Sequence, residues 1–398
     1  MNILVYIPSI SKKNGGIYQY TMGLLNVLKG SKKHQFFILN NESDDQLNTL
    51  IATQENFHSL NDRCLELPND WVNRVVRRGK RSLPNMFRPA RTPIEQIINN
   101  NRIALVHCPF QAYLNTGSTP FITTMHDVQE LHFPEFFTSE ERARRAVAYK
   151  EAIEQSNRVV VSYQHIKNDL VKFFDVPASN IEVVLLDMTR LWIDDFSEQN
   201  LINIRDLAVP QKYLLYPAAT WHHKNHITLL EALMSLKEEG TTVNIVFTGH
   251  LTEHYEEVLK PFVERHHLND QCTFKGIVSD QELYSLYNYA QGVVIPTLYE
   301  AGSFPLYESI LLNIPVICSD TTSLPETIGT SDYVFEATNV EALKGLIKNL
   351  YLDDHFRDKN KLWVIDRAAT FRSATALGKF EKLYDSIMKT SPVTEYFT

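Results

Sequence analysis

Short apolar runs alternate along the whole chain with stretches of helical period. In the first half, Ile3 to Ile7, Gln35 to Leu39, Leu105 to Cys108, Phe121 to Met125, Arg158 to Ser162 and Ile181 to Leu185 read as strands. Helices fit between them, for example Ile17 to Leu28 and Ser139 to Gln155. The pattern restarts at Tyr213, with strands expected at Tyr213 to Pro217, Val243 to Thr248, Cys272 to Phe274, Gly292 to Pro296, Val316 to Cys318 and Tyr333 to Phe335. Strand-helix alternation run twice predicts an α/β protein with two doubly wound parallel sheets. Asp187 to Pro210 mixes Trp192, paired acids and a proline without a strong period, and is the expected linker. The expected division is residues 1–195, residues 196–370 and a terminal segment 371–398. Within that last segment Phe380, Leu383, Tyr384 and Ile387 recur at helical spacing, the pattern of a stripe packed on a core.

Composition narrows the class. A chain of 398 residues, 44% hydrophobic and 22% charged, is long enough for two cores. A net charge of -8 gives no support to a nucleic-acid binder. The four cysteines, Cys64, Cys108, Cys272 and Cys318, lie far apart, and three sit in or beside apolar runs, which favours buried thiols in a reducing compartment. Met1 to Pro8 lacks a basic lead and reads as a first strand, and no run approaches the length of a membrane span. A cytoplasmic protein is expected.

The most informative segment is Tyr299 to Asp320. A strand ends near Pro296, a small-residue loop follows, and a helix starts at about Pro305, a residue suited to a first helical turn. The unpaired N–H groups of such a helix start and its dipole favour a phosphate at Gly302, Ser303, Phe304, Pro305 and Leu306. Glu300 and Glu308, with seven residues between them, flank this turn. Carboxylates accept hydrogen bonds, so the pair suits a ligand that carries hydroxyls as well as phosphate, such as a nucleotide sugar. Taken alone, the segment is equally a strand-loop-helix unit with one capping and one solvated glutamate.

Three further loops follow strands. Tyr216 to His226 carries Lys224 and three histidines, a second anion clamp or a plain solvated loop. Ser9 to Tyr18 ends in Gly15-Gly16 before a helix, which permits close backbone approach of a ligand or simply a tight turn. Thr123 to Asp127 ends a strand in a His126-Asp127 pair. Gly249, after Phe247-Thr248, adds a glycine at the second sheet's edge.

Tyr299 to Asp320 resembles the Glu-x7-Glu signature of the family 4 retaining glycosyltransferases, including its downstream strand Pro315 to Asp320. The usual Gly-Phe-Gly between the acids appears here as Ala301-Gly302-Ser303-Phe304. The resemblance implies the GT-B fold: two Rossmann-like domains facing across a cleft, with the C-terminal helix returning to the first domain. It implies that Glu300 contacts donor-sugar hydroxyls, Glu308 the ribose, Lys224 the donor diphosphate, Gly15 and Gly16 the phosphates and acceptor, and His126 the donor sugar. Gly249 is expected near the base. Where the family often carries an arginine shortly before the lysine, this chain has Ala218, and His222, His223 and Thr220 are the nearby substitutes.

The implied reaction is transfer with retention at the anomeric carbon, with the leaving nucleoside diphosphate stabilised by Lys224 and the helix start and able itself to deprotonate the acceptor. No cofactor or metal is required by this reading, since Asp194-Asp195 and Asp353-Asp354 are adjacent acids in polar stretches. An inverting reaction would need a first-domain carboxylate, for which Asp127 is the nominee. The runs His126 to Phe137 and Trp221 to His226 look like a subgroup assigned to bacterial surface-polysaccharide assembly, which favours GDP-mannose as donor and a glycan or lipid-linked glycan as acceptor. A sugar-nucleotide epimerase and a catalytically silent sugar- or lipid-binding protein of the same fold are the alternatives. A phosphorylase would need a lysine-bound pyridoxal phosphate.

Trp71 to Arg91 carries Arg74, Arg77, Arg78, Lys80, Arg81, Arg88 and Arg91 without one acidic residue. Interleaved with Trp71, Val72, Val75, Val76 and Phe87, these residues are expected to dock on anionic lipid or a lipid-diphosphate acceptor, peripherally on the inner face of the plasma membrane. A solvated basic loop is the plain reading.

Overall fold

The computed structural model describes residues 1–9, 16–40, 44–60, 92–186, 192–372 and 376–390. Gly15 and the basic segment from Trp71 to Arg91, with Arg74, Arg77, Arg78, Lys80 and Arg81, lie outside the described residues, as does Cys64.

Two parallel sheets carry the architecture. The first comprises β1 (Asn2–Ile7), β2 (Gln35–Asn40), β3 (Phe57–Ser59), β4 (Ile103–Cys108), β5 (Phe121–Thr124), β6 (Arg158–Val161) and β7 (Ile181–Val183), in the order β3-β2-β1-β4-β5-β6-β7. The second comprises β8 (Leu214–Pro217), β9 (Ile245–Thr248), β10 (Cys272–Phe274), β11 (Gly292–Ile295), β12 (Val316–Ser319) and β13 (Val334–Phe335), in the order β10-β9-β8-β11-β12-β13. Every strand pair is parallel. Helices cover both faces, so β9, β11 and β12 are buried at every position, and their sequences are continuous apolar runs without alternation. β3, only three residues long, has no apolar run to announce it.

Each sheet reverses its winding beside its first strand, between β1 and β4 and between β8 and β11. A crevice opens outside the carboxyl ends of strands at such a switch point, because the flanking helices lie on opposite faces. Of the loops singled out from the sequence, those after β1, β8 and β11 follow strands at these points, and those bearing His126 and Gly249 follow β5 and β9, one strand away. Helix starts are fixed locally: Thr92 with Glu95, Thr138 with Glu141 and Ser279 with Glu282 each form a reciprocal capping box.

The C-terminal helix, Ala376–Thr390, lies on the first sheet's core. Phe380, Leu383, Tyr384 and Ile387 are buried there with Ile3, Phe36 and Leu105. The Tyr384 hydroxyl lies 2.9 Å from His107 Nδ1 on β4, Ser31 donates to Glu381 at 2.6 Å, and Lys33 pairs with Asp385 at 2.6 Å. Phe371, which the helical stripe placed with this element, belongs to the preceding helix Asp354–Arg372 and packs on Tyr307 of the second half, ring centroids 5.0 Å apart. The stripe ran on because both helices are amphipathic, and residues 373–375 between them carry no breaking proline or glycine. Cys108, Cys272 and Cys318 are buried free thiols. Among the described residues no helix is long and apolar enough to cross a membrane.

Candidate active site

The loop after β11 is held from both sides. Thr297 donates to the carbonyls of His223 (2.8 Å) and Tyr299 (2.9 Å), Ser319 donates to the carbonyl of Thr297 (2.6 Å), and Leu298 N–H to that of His223 (2.7 Å). Glu300 is fixed by its backbone: its N–H donates to Thr322 Oγ1 (3.0 Å), and its carbonyl accepts from Thr322 (2.7 Å) and Ser323 (2.9 Å). Its side chain is thereby set in a buried position against Lys224.

The helix Phe304–Leu311 starts at Ser303, which does not cap it with its side chain. Pro305 has no N–H, so the open donors of the first turn belong to Phe304 and Leu306. Ser303 Oγ is fully buried without a hydrogen-bond partner, beside those donors. A buried hydroxyl left unpaired costs about 1–3 kcal/mol, and polar groups in that state are rare unless a ligand completes them. Glu308, one turn inside, is buried and accepts from the Tyr287 hydroxyl at 2.6 Å. Burial, then the charge of Glu308, raises the Tyr287 hydroxyl, so the tyrosine remains the donor.

Lys224 ends a short turn, His222–Lys224, after β8. The Tyr216 hydroxyl donates to its carbonyl at 2.7 Å. Asn225, at φ 56°, donates to the carbonyls of Pro296 (2.8 Å) and Ala337 (2.9 Å), tying the turn to the β11 loop. Of the substitutes considered for the missing arginine, Thr220 is excluded. It is buried and bonded to Thr252, whose N–H donates to Thr220 Oγ1 at 2.8 Å and whose hydroxyl donates to the Thr220 carbonyl at 2.7 Å. His223 is pushed down to about 3, by burial first and then by the Lys224 charge, so it is neutral. His222 is exposed, with its ring 3.7 Å from that of His254 and 5.8 Å from that of Phe136 across the cleft. Gly249, at φ 110°, lies under this loop: a Cβ there would come 2.7 Å from the Ala218 carbonyl carbon and the Ala219 nitrogen. Its role is to let the two loops touch.

The first domain supplies the opposite wall. Gly16 begins the helix Gly16–Leu28, and a Cβ on it would sit 3.6 Å from the Phe304 ring. His126 Nε2 lies 2.9 Å from the Pro109 carbonyl, which only accepts, so Nε2 carries the proton. Burial pushes this ring down to about 4, and it meets Tyr20 edge-on with centroids 4.6 Å apart. Beside it, burial raises the Asp127 carboxyl to about 6 against the pull of Arg145, whose guanidinium lies 3.8 Å from Asp127 and 3.2 Å from Glu130. Val128 N–H donates to the Tyr299 hydroxyl at 3.4 Å, which carries the His126 loop to the residue preceding Glu300.

A second bridge crosses the cleft. Tyr163 and Tyr307 share a hydroxyl-hydroxyl bond of 2.6 Å, a Cβ on Gly302 would meet the Tyr163 ring at 3.2 Å, and Gln164 N–H donates to Glu326 at 2.9 Å. Sequence reasoning missed Tyr163, Tyr307, Tyr287, Asn225, Thr322 and Ser323. No periodic or spacing signal marks a pair such as Tyr163 and Tyr307, 144 positions apart. Lys224, Glu300, the Gly302 to Leu306 turn and Glu308 do converge, with Gly16 facing them.

The Glycosyltransferase Family 4 model matches residues 15–185, and the Glycosyl transferases group 1 model matches residues 197–362. O-antigen chain mannosyltransferase B of Escherichia coli is 25% identical over 60% of this chain and 62% of that protein. O-antigen chain mannosyltransferase RfbU of Salmonella typhimurium is 24% identical over 57% and 60%. The chain thus matches about three fifths of the length of both relatives. Among solved structures, a glycosyltransferase from Rickettsia africae superposes with a TM-score of 0.67 at 19% identity, covering 98% of this chain and 99% of that one. HepE of Anabaena, solved with UDP and glucose, gives 0.64 at 15%, covering 98% and 100%. The first matched segment takes in β2 to β7 and the second β8 to β13, and they meet between the two sheets, so the chain belongs to the family 4 glycosyltransferases and has their GT-B fold.

Proposed function

We propose that this chain is a retaining hexosyltransferase that moves mannose from GDP-mannose to a glycan or lipid-linked glycan in surface-polysaccharide synthesis. The observation that carries the reading is the unpaired, buried Ser303 hydroxyl at a helix N-terminus flanked by Lys224–Glu300 and Glu308. A diphosphate completes that set. Its oxygens accept from Ser303, from the Phe304 and Leu306 amides and from the Lys224 ammonium, which has three donors of which Glu300 takes one. Glu308, with one oxygen fixed by Tyr287, accepts from the ribose, and Glu300 accepts from sugar hydroxyls while holding the lysine in place. His126, neutral and with its Nε2 proton committed to Pro109, presents an acceptor nitrogen to the sugar.

In the proposed step the anomeric carbon–oxygen bond to the diphosphate breaks, and the acceptor oxygen bonds to the same face. The acceptor proton passes to the departing phosphate. Charge that builds on the leaving group is met by Lys224 and the helix dipole, both fixed before reaction, and no divalent cation is assigned a part. Mannose rests on the relatives: mannosyltransferases of O-antigen chains are among them. For the Trp71 to Arg91 segment we propose peripheral contact with the anionic inner face of the membrane, supported by its sequence.

The test is thermal stabilisation by a panel of nucleotides and nucleotide sugars, since a ligand bound only to the folded state raises the melting temperature. GDP and GDP-mannose should stabilise the protein, and Glu308→Ala should abolish the shift. A response confined to UDP compounds would move the donor assignment. No response to any nucleotide would overturn the reading in favour of a silent binding protein.

A further inference from the structure

Next to the cleft, a cavity of about 270 Å³ opens on the first domain. Pro8, at the carboxyl end of β1, and Phe110, beyond the carboxyl end of β4, form its apolar floor together with Ile17. Ile17 directly follows Gly16, the residue that approaches Phe304. Gln111, also on the wall, donates to the Asp127 carbonyl at 2.8 Å, so the cavity abuts the His126-Asp127 loop.

The remaining wall is the helix Ser139–Glu154, through Arg144, Arg145, Ala148 and Tyr149. The two arginines are not equivalent. Arg145 is engaged: it reaches Glu130 at 3.2 Å, Asp127 at 3.8 Å and the Tyr149 hydroxyl at 3.1 Å, and it covers the Phe137 ring at 4.6 Å. Arg144 is exposed, makes no hydrogen bond or ion pair among the described residues, and lies in the field of Glu141 one turn earlier. Ala148, four residues on, lies on the same helix face and lines the same cavity. A fork of N–H donors without an internal acceptor, at the rim of an apolar-floored cavity, fits a carboxylate or phosphate carried on a sugar-sized body.

We propose that this cavity is the acceptor subsite and that Arg144 selects an acceptor bearing an anionic group, either a phosphate or a uronic carboxylate, close to the accepting hydroxyl. The inference rests on the transferase reading given above, and it adds the acceptor's charge class, a property to which the donor-binding residues do not speak.

Three probes separate the possibilities: neutral methyl α-mannoside, mannose 6-phosphate and methyl glucuronide. Each is titrated by ligand-observed NMR into the full chain saturated with GDP, so that the diphosphate site is filled, with inorganic phosphate as a fourth titration. At least one charged sugar should bind about tenfold or more tightly than the neutral one, the scale of a charge-assisted hydrogen bond. Arg144→Gln should remove that preference, Arg144→Lys should retain part of it, and the melting temperature reports that both variants are folded. Which charged sugar binds distinguishes a phosphorylated from a uronic acceptor. Equal binding of neutral and charged probes, no binding of any, unchanged preference in Arg144→Gln, or inorganic phosphate binding as well as the sugars would each overturn the proposal. Failure of GDP to stabilise the protein is a separate result, and it would strike the transferase reading instead.

Discussion

The ammonium of Lys224 is paired with the carboxylate of Glu300, although 76 positions separate them and they follow different strands, β8 and β11. Those strands are neighbours in the second sheet, so loops at their carboxyl ends meet. Both side chains are largely buried, and each is the other's neutralising partner. Lys224→Met should leave Glu300 charged and unpaired, costing about 2–4 kcal/mol once residual solvent access is allowed for. A double variant, Lys224→Met with Glu300→Gln, should recover part of that loss. Denaturant unfolding of Lys224→Met, Glu300→Gln and the double variant measures the coupling, and strictly additive losses would contradict the pairing.

The Tyr163–Tyr307 bond joins the two domains beside the Gly302 to Leu306 turn. Tyr163→Phe leaves the buried Tyr307 hydroxyl without this partner, at a cost of about 1–3 kcal/mol. Tyr163→Phe combined with Tyr307→Phe should cost less than the sum of the singles. If these hydroxyls also set domain closure, the affinity for GDP should fall in the single variants, which calorimetric titration would report.

At Gly249 two requirements coincide. The backbone is at φ 110°, and a Cβ would lie 2.7 Å from main-chain atoms that have no freedom to yield. Gly249→Ala should therefore displace the Ala218–Thr220 loop and lower the melting temperature. By contrast, Gly240→Ala meets open space but still carries the cost of φ 79°, and should be milder. Equal effects would show that contact with Ala218 does not matter.

Asp127 gives a pH signature. Its carboxyl rises from 3.8 to about 6 on folding, chiefly through burial, so the folded state binds the proton more tightly than the unfolded one. The favourable contribution is complete below pH 3.8 and is lost as pH rises to about 6. Asp127→Asn removes this titration. Its melting temperature relative to the parent should climb across that window and be level above it, and a flat difference would refute the shift.

Because Lys224 and the helix N-terminus supply the positive charge at the leaving group in the proposed step, transfer should survive exhaustive dialysis against EDTA. Loss of turnover restored by magnesium or manganese would require a different account of the diphosphate.

Much of this architecture is legible in the chain. β1, β2 and β4 to β13 were all expected within a few residues, because strands buried on both faces become apolar runs that local inspection detects. β3 was not, since Phe57-His58-Ser59 has one buried residue and borrows its order from β2. Glu300, Glu308 and the Gly302 to Leu306 turn were legible because they lie within one strand-loop-helix unit, and Lys224 because it closes the loop of another.

What the sequence determined alone was therefore local: the periods, the capping boxes and the residue types at each loop. Tertiary structure decided which loops meet. The crossover order brings β8 beside β11 and pairs Lys224 with Glu300, the domain packing sets Tyr163 against Tyr307, and Phe371 joins one core while Phe380 joins the other. Only in the folded chain does Glu130 occupy Arg145 while Arg144, one residue earlier, is left facing a cavity. Hydrophobic period acts over a few residues, whereas ion pairs and hydroxyl bonds form wherever topology closes the distance, and no spacing along the chain encodes that.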